Sequence, residues 1–405
     1  MFVTELKLNN YRNYGEEKIN FKPNINLIVG KNAQGKTNLL ETIYYSAIGK
    51  SPRTTKDADL INWNKDKASF VLSLQKKEGK KTIEVIFNRQ TKKAIKVNGV
   101  NLLKIGDLLG VNNVVFFSPD ELKLVKDAPQ DRRKFMDTDI SQLNKSYFYQ
   151  LVKYNKIIDQ RNKLLKSKNN QKTIEQTLPI WDAQLCDAGS KLIKKRIEFL
   201  DKLKEYVVAS HKFLTGGKET LEISYAGILG ETTEEISQKL AKALLECREK
   251  DLKLGYTNVG PHRDDIKLIV NGIDIRSFGS QGQQRTVALS MKLAELEIFK
   301  EECGEYPILL LDDVLSELDQ DRQQRLLWKV KDVQTIITTT QYDPFMMQDA
   351  NIIKIENGKH LTEWVWNGTK EINSINKQLK KWGEDSQLNQ MVERDGRAHC
   401  CHKQI

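Results

Sequence analysis

The sequence predicts an α/β fold interrupted by a helical insertion. Three observations predict it. Short apolar strands occur near both ends of the chain, at 26–30 and 308–311, the second of the fully buried parallel type. Between about 130 and 255 the apolar spacing changes from alternation to steps of three and four. Beyond that stretch, strand patterns resume at Asp265–Val270 and 333–339. The expected organisation is a head split between 1–118 and 256–365, an inserted helical lobe at 119–255, and an extension at 366–405.

The elements follow in order. Residues 2–8 alternate apolar and polar, a half-buried strand. Residues 26–30 are a strand ending at a glycine, and 38–48 a helix with Leu39, Leu40, Ile43, Tyr44 and Ala47 on one face. Antiparallel strands fill 68–103, with turns at Lys77-Glu78-Gly79 and Asn98-Gly99. Val114–Phe117 is a buried strand. Tyr147, Leu151, Tyr154, Ile158, Arg161 and Leu165 then keep helical spacing, as do Trp181, Leu185, Ala188, Leu192 and Phe199. Two antiparallel helices joined by the polar stretch 166–177 are expected, with Arg161 interrupting the apolar seam. A third helix is expected over 234–249.

Composition narrows the class. The 405 residues carry 65 Lys+Arg against 54 Asp+Glu, a formal net charge of +11. With 39% hydrophobic residues the chain can bury cores, which excludes a disordered chain. No apolar run approaches the ~18–20 residues of a membrane helix, and the N-terminus opens on a strand rather than a signal peptide. The Cys residues at 186, 247, 303, 400 and 401 are scattered, so a disulfide framework is excluded and a cytoplasmic location expected. The basic excess is local. Residues 65–104 hold 11 basic and 3 acidic residues, and 145–172 hold 8 and 1. Neither segment interleaves the aromatics expected for base stacking, so contact with a nucleic-acid backbone is favoured over base readout.

Gly30-Lys31-Asn32-Ala33-Gln34-Gly35-Lys36-Thr37 matches G-x-x-x-x-G-K-[ST], between a strand and a helix. Gly30 and Gly35 let the backbone N–H groups ring a phosphate. Lys36 brings charge to the β/γ-phosphates, and the Thr37 hydroxyl can ligate Mg²⁺. Residues 308–311 lead into Asp312 and Asp313. Asp312 stands where such proteins hold Mg²⁺, and Asp313 where a carboxylate orients or deprotonates the attacking water. ATP and Mg²⁺ are the expected cofactors.

Ser280-Gln281-Gly282-Gln283-Gln284-Arg285, before a helix beginning near Thr286, resembles the signature motif of the ABC ATPase superfamily. Ser316-Glu317-Leu318-Asp319 resembles its D-loop, and Gln341 stands in place of its switch residue. The resemblance implies an ABC-type head in which Ser280, Gly282 and Gln283 complete the nucleotide site of a second subunit.

The order of Asn10-Tyr11-Arg12-Asn13-Tyr14, the phosphate loop, Val259-Gly260-Pro261-His262-Arg263-Asp264-Asp265 and the signature is similar to the RecF family, related to SMC proteins. This resemblance implies a weak ATPase that dimerises on ATP and binds duplex or gapped DNA. It further implies partnership with RecR and help in loading RecA at gaps and stalled forks. Asp313, shorter than the Glu common there in transporters, fits slow hydrolysis. From the residues alone, Pro261 reads as a turn and Arg263 as a surface ion-pair former. A transporter ATPase, an SMC-type structural ATPase and a small-molecule kinase are the alternatives. The basic segments oppose the first, the short helical arms the second and the signature the third. No function is expected for 366–405, and His399-Cys400-Cys401-His402 cannot close readily on one tetrahedral ion.

Overall fold

The computed structural model describes residues 1–167, 171–341 and 350–361. The extension and its His-Cys-Cys-His run lie outside the described residues. Residues 1–361 fold as one unit, and the boundary of the other falls at Thr362.

Strands β1 (Phe2–Asn9), β2 (Glu16–Asn20) and β3 (Ile25–Val29) open the chain, and helix α1 (Lys36–Ile48) follows. Next come β4 (Lys67–Lys76), β5 (Gly79–Asn88), β6 (Ala94–Val97), β7 (Val100–Asn101) and β8 (Val114–Phe117). Asn98 and Gly99 both take positive φ, 51° and 80°, the geometry of a type I′ hairpin. An antiparallel sheet runs β2-β1-β4-β5-β6-β7.

The middle of the chain holds α2 (Lys123–Lys126), α3 (Pro129–Leu143), α4 (Lys145–Lys166), α5 (Gln171–Thr215), β9 (Leu221–Ala226), α6 (Thr233–Glu246) and α7 (Arg248–Leu254). The connection between the paired helices is shorter than the polar stretch suggests, because α5 begins at Gln171. At 45 residues α5 spans about 68 Å. It outruns α4 because its C-terminal half packs along a later helix. The expected third helix is two, broken near Cys247. β9 was hidden in a helical stretch. Its only signal is the alternation of Leu221 and Ile223 with exposed Glu222 and Ser224.

The chain closes with β10 (Asp265–Val270), β11 (Ile273–Asp274), α8 (Ile275–Phe278), α9 (Gln281–Cys303), β12 (Ile308–Asp312), α10 (Gln320–Lys329), β13 (Thr335–Thr339), β14 (Asn351–Glu356) and β15 (Lys359–His360). A second sheet runs β15-β14-β3-β13-β12-β8, parallel except at β15. β9, β10 and β11 form a third, so β9 pairs with a strand beyond the helices.

Alternation along the parallel strands divides the interior. Ile28, Ile308, Leu310 and Ile336 face α1 and the antiparallel sheet. Leu27, Leu309, Leu311 and Ile337 face the core shared with α3, α4, α5, α6 and α9. The phosphate loop therefore leaves the carboxyl end of a central parallel strand, where α/β sheets bind ligands.

Arg161 is completely buried. Its Nε donates to Asp182, and its Nη1 to Asp251 and Thr257, at 2.7 to 2.8 Å. The polar break in the helix seam is a buried ion network. Removing one partner of such a network costs roughly 3–5 kcal/mol.

Candidate nucleotide site

The loop between β3 and α1 is shaped by close approaches. A Cβ on Gly30 would stand 2.3 Å from the carbonyl oxygen of Ile355. Gly35 caps α1 at φ 110°, where a side chain would strike Asn13. The 10–14 segment is the brace. Asn13 donates to the Gln34 carbonyl at 2.9 Å, Tyr14 donates to that of Gly35 at 3.0 Å, and Arg12 grips buried Glu41 with two bonds. The bracing role of Asn13 and Tyr14 is not readable from the motif. Gln34 is also committed, accepting from the backbone of Asn357 through its side chain. Lys31, Asn32 and Ala33 are exposed.

Lys36 is 8% exposed. Its Nζ donates to the carbonyls of Gly30 and Lys31, at 2.6 and 2.9 Å, across the base of the loop. Burial lowers its pKa, and the nearby carboxylates of Asp313 and Asp312 oppose that shift. Asp312 Oδ1 accepts from Thr37 at 3.0 Å and from Thr338 at 2.6 Å. Residues 275 positions apart in the chain thus meet at one hydrogen bond. A hydroxyl beside one carboxylate fits Mg²⁺, which takes few protein oxygens and completes its shell with phosphate and water. Asp313 has φ 54°, and its buried Oδ1 has no hydrogen-bond partner among the described residues. Its backbone N–H is held by the Thr338 hydroxyl at 3.0 Å. An orphan acceptor held in a strained backbone is placed to take a proton or a water.

A cavity of about 490 Å³ adjoins Thr37 and Asp312. In its wall Lys292 lies 3.0 Å from Glu295 and 3.5 Å from Glu121, beside buried Asp139. Burial raises the Asp139 pKa to about 7, partly offset by Lys292. This cluster was missed, although Lys292 and Glu295 are charged positions within an otherwise apolar stretch of α9.

The signature residues stand apart. Ser280 caps α9, which begins at Gln281 rather than near Thr286. Ser280 Oγ accepts from the Gln283 N–H at 3.2 Å, and Gln283 Oε1 accepts from the Ser280 N–H at 3.1 Å. Ser280 and Gly282 are exposed. Among the described residues, no hydrogen bond joins this motif to the phosphate loop. Arg285 lies 3.3 Å from Glu317, tying the signature helix to the 316–319 turn.

The Gly260–Asp265 run is an internal knot. Arg132 pairs with Asp265 at 2.6 Å, Arg196 donates to the Pro261 carbonyl, and His262 meets Tyr154 at 2.7 Å. Burial lowers the His262 pKa to about 4 and raises that of Asp264 to about 6. Arg263 departs from the ion-pair expectation. It donates to the Thr257 carbonyl and lies over the Tyr256 ring, 5.1 Å from its centre.

The basic segments are also redistributed. Lys93 is tied to Asp57 and Tyr45, Lys96 to Glu84, and Lys76 and Lys77 to Gly110, Gly304 and Glu305. Lys65, Lys67 and Lys92 lie at the end of the antiparallel sheet nearest the phosphate loop. Lys80 and Lys81 lie at the other end, about 25 Å away for an eight-residue strand. On α4, Lys156, Lys163 and Lys166 are exposed, while Arg161 belongs to the core.

A phosphate loop on a parallel sheet, a carboxylate strand end beside it and a capped signature helix define an ABC-type ATPase head. The family model for the RecF/RecN/SMC N terminal domain matches residues 2–362. The chain is 46% identical over 365 residues to the DNA replication and repair protein RecF of Clostridium acetobutylicum, covering 89% of this chain and 99% of that one. It is 48% identical over 361 residues to RecF of Alkaliphilus oremlandii, covering 88% and 97%. The solved structure of the recombination mediator protein RecF with ATP in the RecFOR pathway superposes with a TM-score of 0.81 at 38% identity, covering 89% and 98%. The Smc head domain of Pyrococcus furiosus, at 16% identity and a TM-score of 0.54, shares the fold. The chain belongs to the RecF family.

Proposed function

We propose that this chain is an ATP-dependent DNA-binding protein of replication and recombinational repair, and a weak ATPase. ATP binds at Gly30–Thr37, with Thr37 and Asp312 holding Mg²⁺. The metal, when bound, neutralises phosphate charge. Lys36 turns from the loop carbonyls to the phosphates, and Asp313 accepts a hydrogen bond from the attacking water. Two subunits close on the nucleotide, each presenting Ser280 and Gly282 to the other's phosphates. The dimer meets DNA through the lysines at the loop end of the sheet and along α4. Family resemblance adds RecR as a partner and recombinase loading at gaps as the outcome. A cytoplasmic setting accompanies that reading.

One observation carries it. Gly282 occupies the first turn of α9 with ordinary φ, and a Cβ there would meet nothing within 4 Å. Glycine costs a helix about 1 kcal/mol relative to alanine. Among the described residues nothing requires a glycine at that point, whereas a phosphate approaching the helix N-terminus does. The test is ATP-dependent dimerisation of Gly282→Ala, followed by sedimentation. The variant is expected to fold at least as stably as wild type and bind ATP equally, yet dimerise less. Dimerisation equal to wild type would refute the trans contact.

A further inference from the structure

The signature motif is held from below by a residue outside it. Helix α5 ends at Thr215, and Gly216 and Gly217, at φ 64° and 78°, turn the chain. Glu219 follows, beneath the N-terminus of α9. Its Oε1 accepts from Gln283 Nε2 at 3.0 Å. Its Oε2 lies 3.2 Å from Nε2 of His211, a fully buried residue of α5. The other ring nitrogen of His211 lies 3.1 Å from the Ser290 hydroxyl, farther along α9. One carboxylate and one imidazole thus bracket the start of the signature helix.

This bracket accounts for Gln283. The oxygen of its amide accepts from the Ser280 N–H, and the nitrogen of the same amide donates to Glu219. Both ends of the side chain are engaged, so Gln283 is poorly placed to contact a nucleotide directly. A long, half-exposed amide loses rotamer freedom when it is fixed. A charged acceptor such as Glu219 supplies the stronger class of hydrogen bond that holds it. We infer that Glu219 is a positioning residue. Through Gln283 it fixes the Ser280–Gly282 turn in the form that meets the second subunit's phosphates, and it links that turn to α5 of the helical insertion. The inference rests on the trans-signature reading above.

The experiment uses the full chain with ATP and Mg²⁺ and compares Glu219→Ala, Glu219→Gln and Gly282→Ala. Three quantities are measured: affinity of the monomer for a fluorescent ATP analogue, the ATP-dependent dimer constant, and Tm. Glu219→Ala is expected to weaken dimerisation about tenfold, the scale of one charge-assisted hydrogen bond, with nucleotide affinity unchanged. Glu219→Gln retains an acceptor oxygen for Gln283 and is expected to restore most of the loss. If Glu219→Ala dimerises normally while Gly282→Ala does not, the positioning role is wrong and the trans-signature reading stands. If neither variant is impaired, the trans-signature reading itself fails. If Glu219→Gln is as defective as Glu219→Ala, or nucleotide affinity and Tm fall with dimerisation, Glu219 is a general structural residue and the inference is overturned.

Discussion

The phosphate loop and the signature turn of this molecule are built in opposite ways. Around the phosphate loop, key polar groups have partners within the chain. Lys36 is tied to two carbonyls, Thr37 and Thr338 share one oxygen of Asp312, and Asn13 and Tyr14 brace the turn. The signature turn is exposed, satisfies Ser280 and Gln283 through each other, and leaves open space at Gly282. A half-site with internal partners can hold a nucleotide within one subunit. A turn with an unfilled approach leaves room for the second subunit proposed above.

The sharpest way to break this contrast is at the closed side. Lys36→Ala is expected to lower ATP affinity by about 100-fold, the order set by losing a charge-assisted phosphate contact. Dimerisation should disappear with it, read by calorimetry and sedimentation. Affinity close to wild type would mean the loop does not hold the phosphates.

Thr338→Val should have a smaller effect. It removes the donor to Asp312 and the acceptor for the Asp313 N–H. Steady-state turnover with Mg²⁺ is expected to fall about tenfold, while nucleotide binding without Mg²⁺ stays unchanged. Equal losses with and without the metal would argue against metal-site positioning.

For DNA, charge reversal at Lys65, Lys67 and Lys92 should weaken binding and flatten its salt dependence more than reversal at Lys80 and Lys81. Fluorescence anisotropy across a salt series reads both quantities. The reverse order would move the interface to the far end of the sheet.

The smallest effect concerns pH. Burial raises the Asp139 pKa to about 7, against 3.8 for a free Asp carboxyl. Between those values the folded chain holds a proton that the unfolded chain has released, so this group's contribution to stability falls as pH rises. Lys292, Glu295 and Glu121 face it. Asp139→Asn should therefore show a shallower decline of Tm from pH 5 to pH 8 than wild type. An unchanged slope would assign the pH dependence to other groups.

Much of this architecture is legible in the sequence. The phosphate loop, the Asp312 strand and the turn residues Asn98-Gly99 are local signals, because spacing and glycine chemistry dictate them. The unreadable features depend on contacts between distant segments. Arg161 looked like a break in a helix seam until Asp182 and Asp251 closed around it. β9 offers one short alternation, and its pairing partner β10 lies far along the chain. The lysines at 76, 77 and 93 count as basic excess in sequence, yet carbonyls and carboxylates from elsewhere hold them. Glu219 carries no motif at all, and its place depends on two glycines turning α5 back toward α9.

The most direct test of the central claim is the ATP-dependent mass of Ser280→Arg. Ser280 is exposed, and among the described residues no hydrogen bond joins it to its own phosphate loop. If the turn serves a second subunit, this variant binds ATP with wild-type affinity and remains monomeric at concentrations where wild type dimerises. A Ser280→Arg chain that still dimerises on ATP would contradict the account.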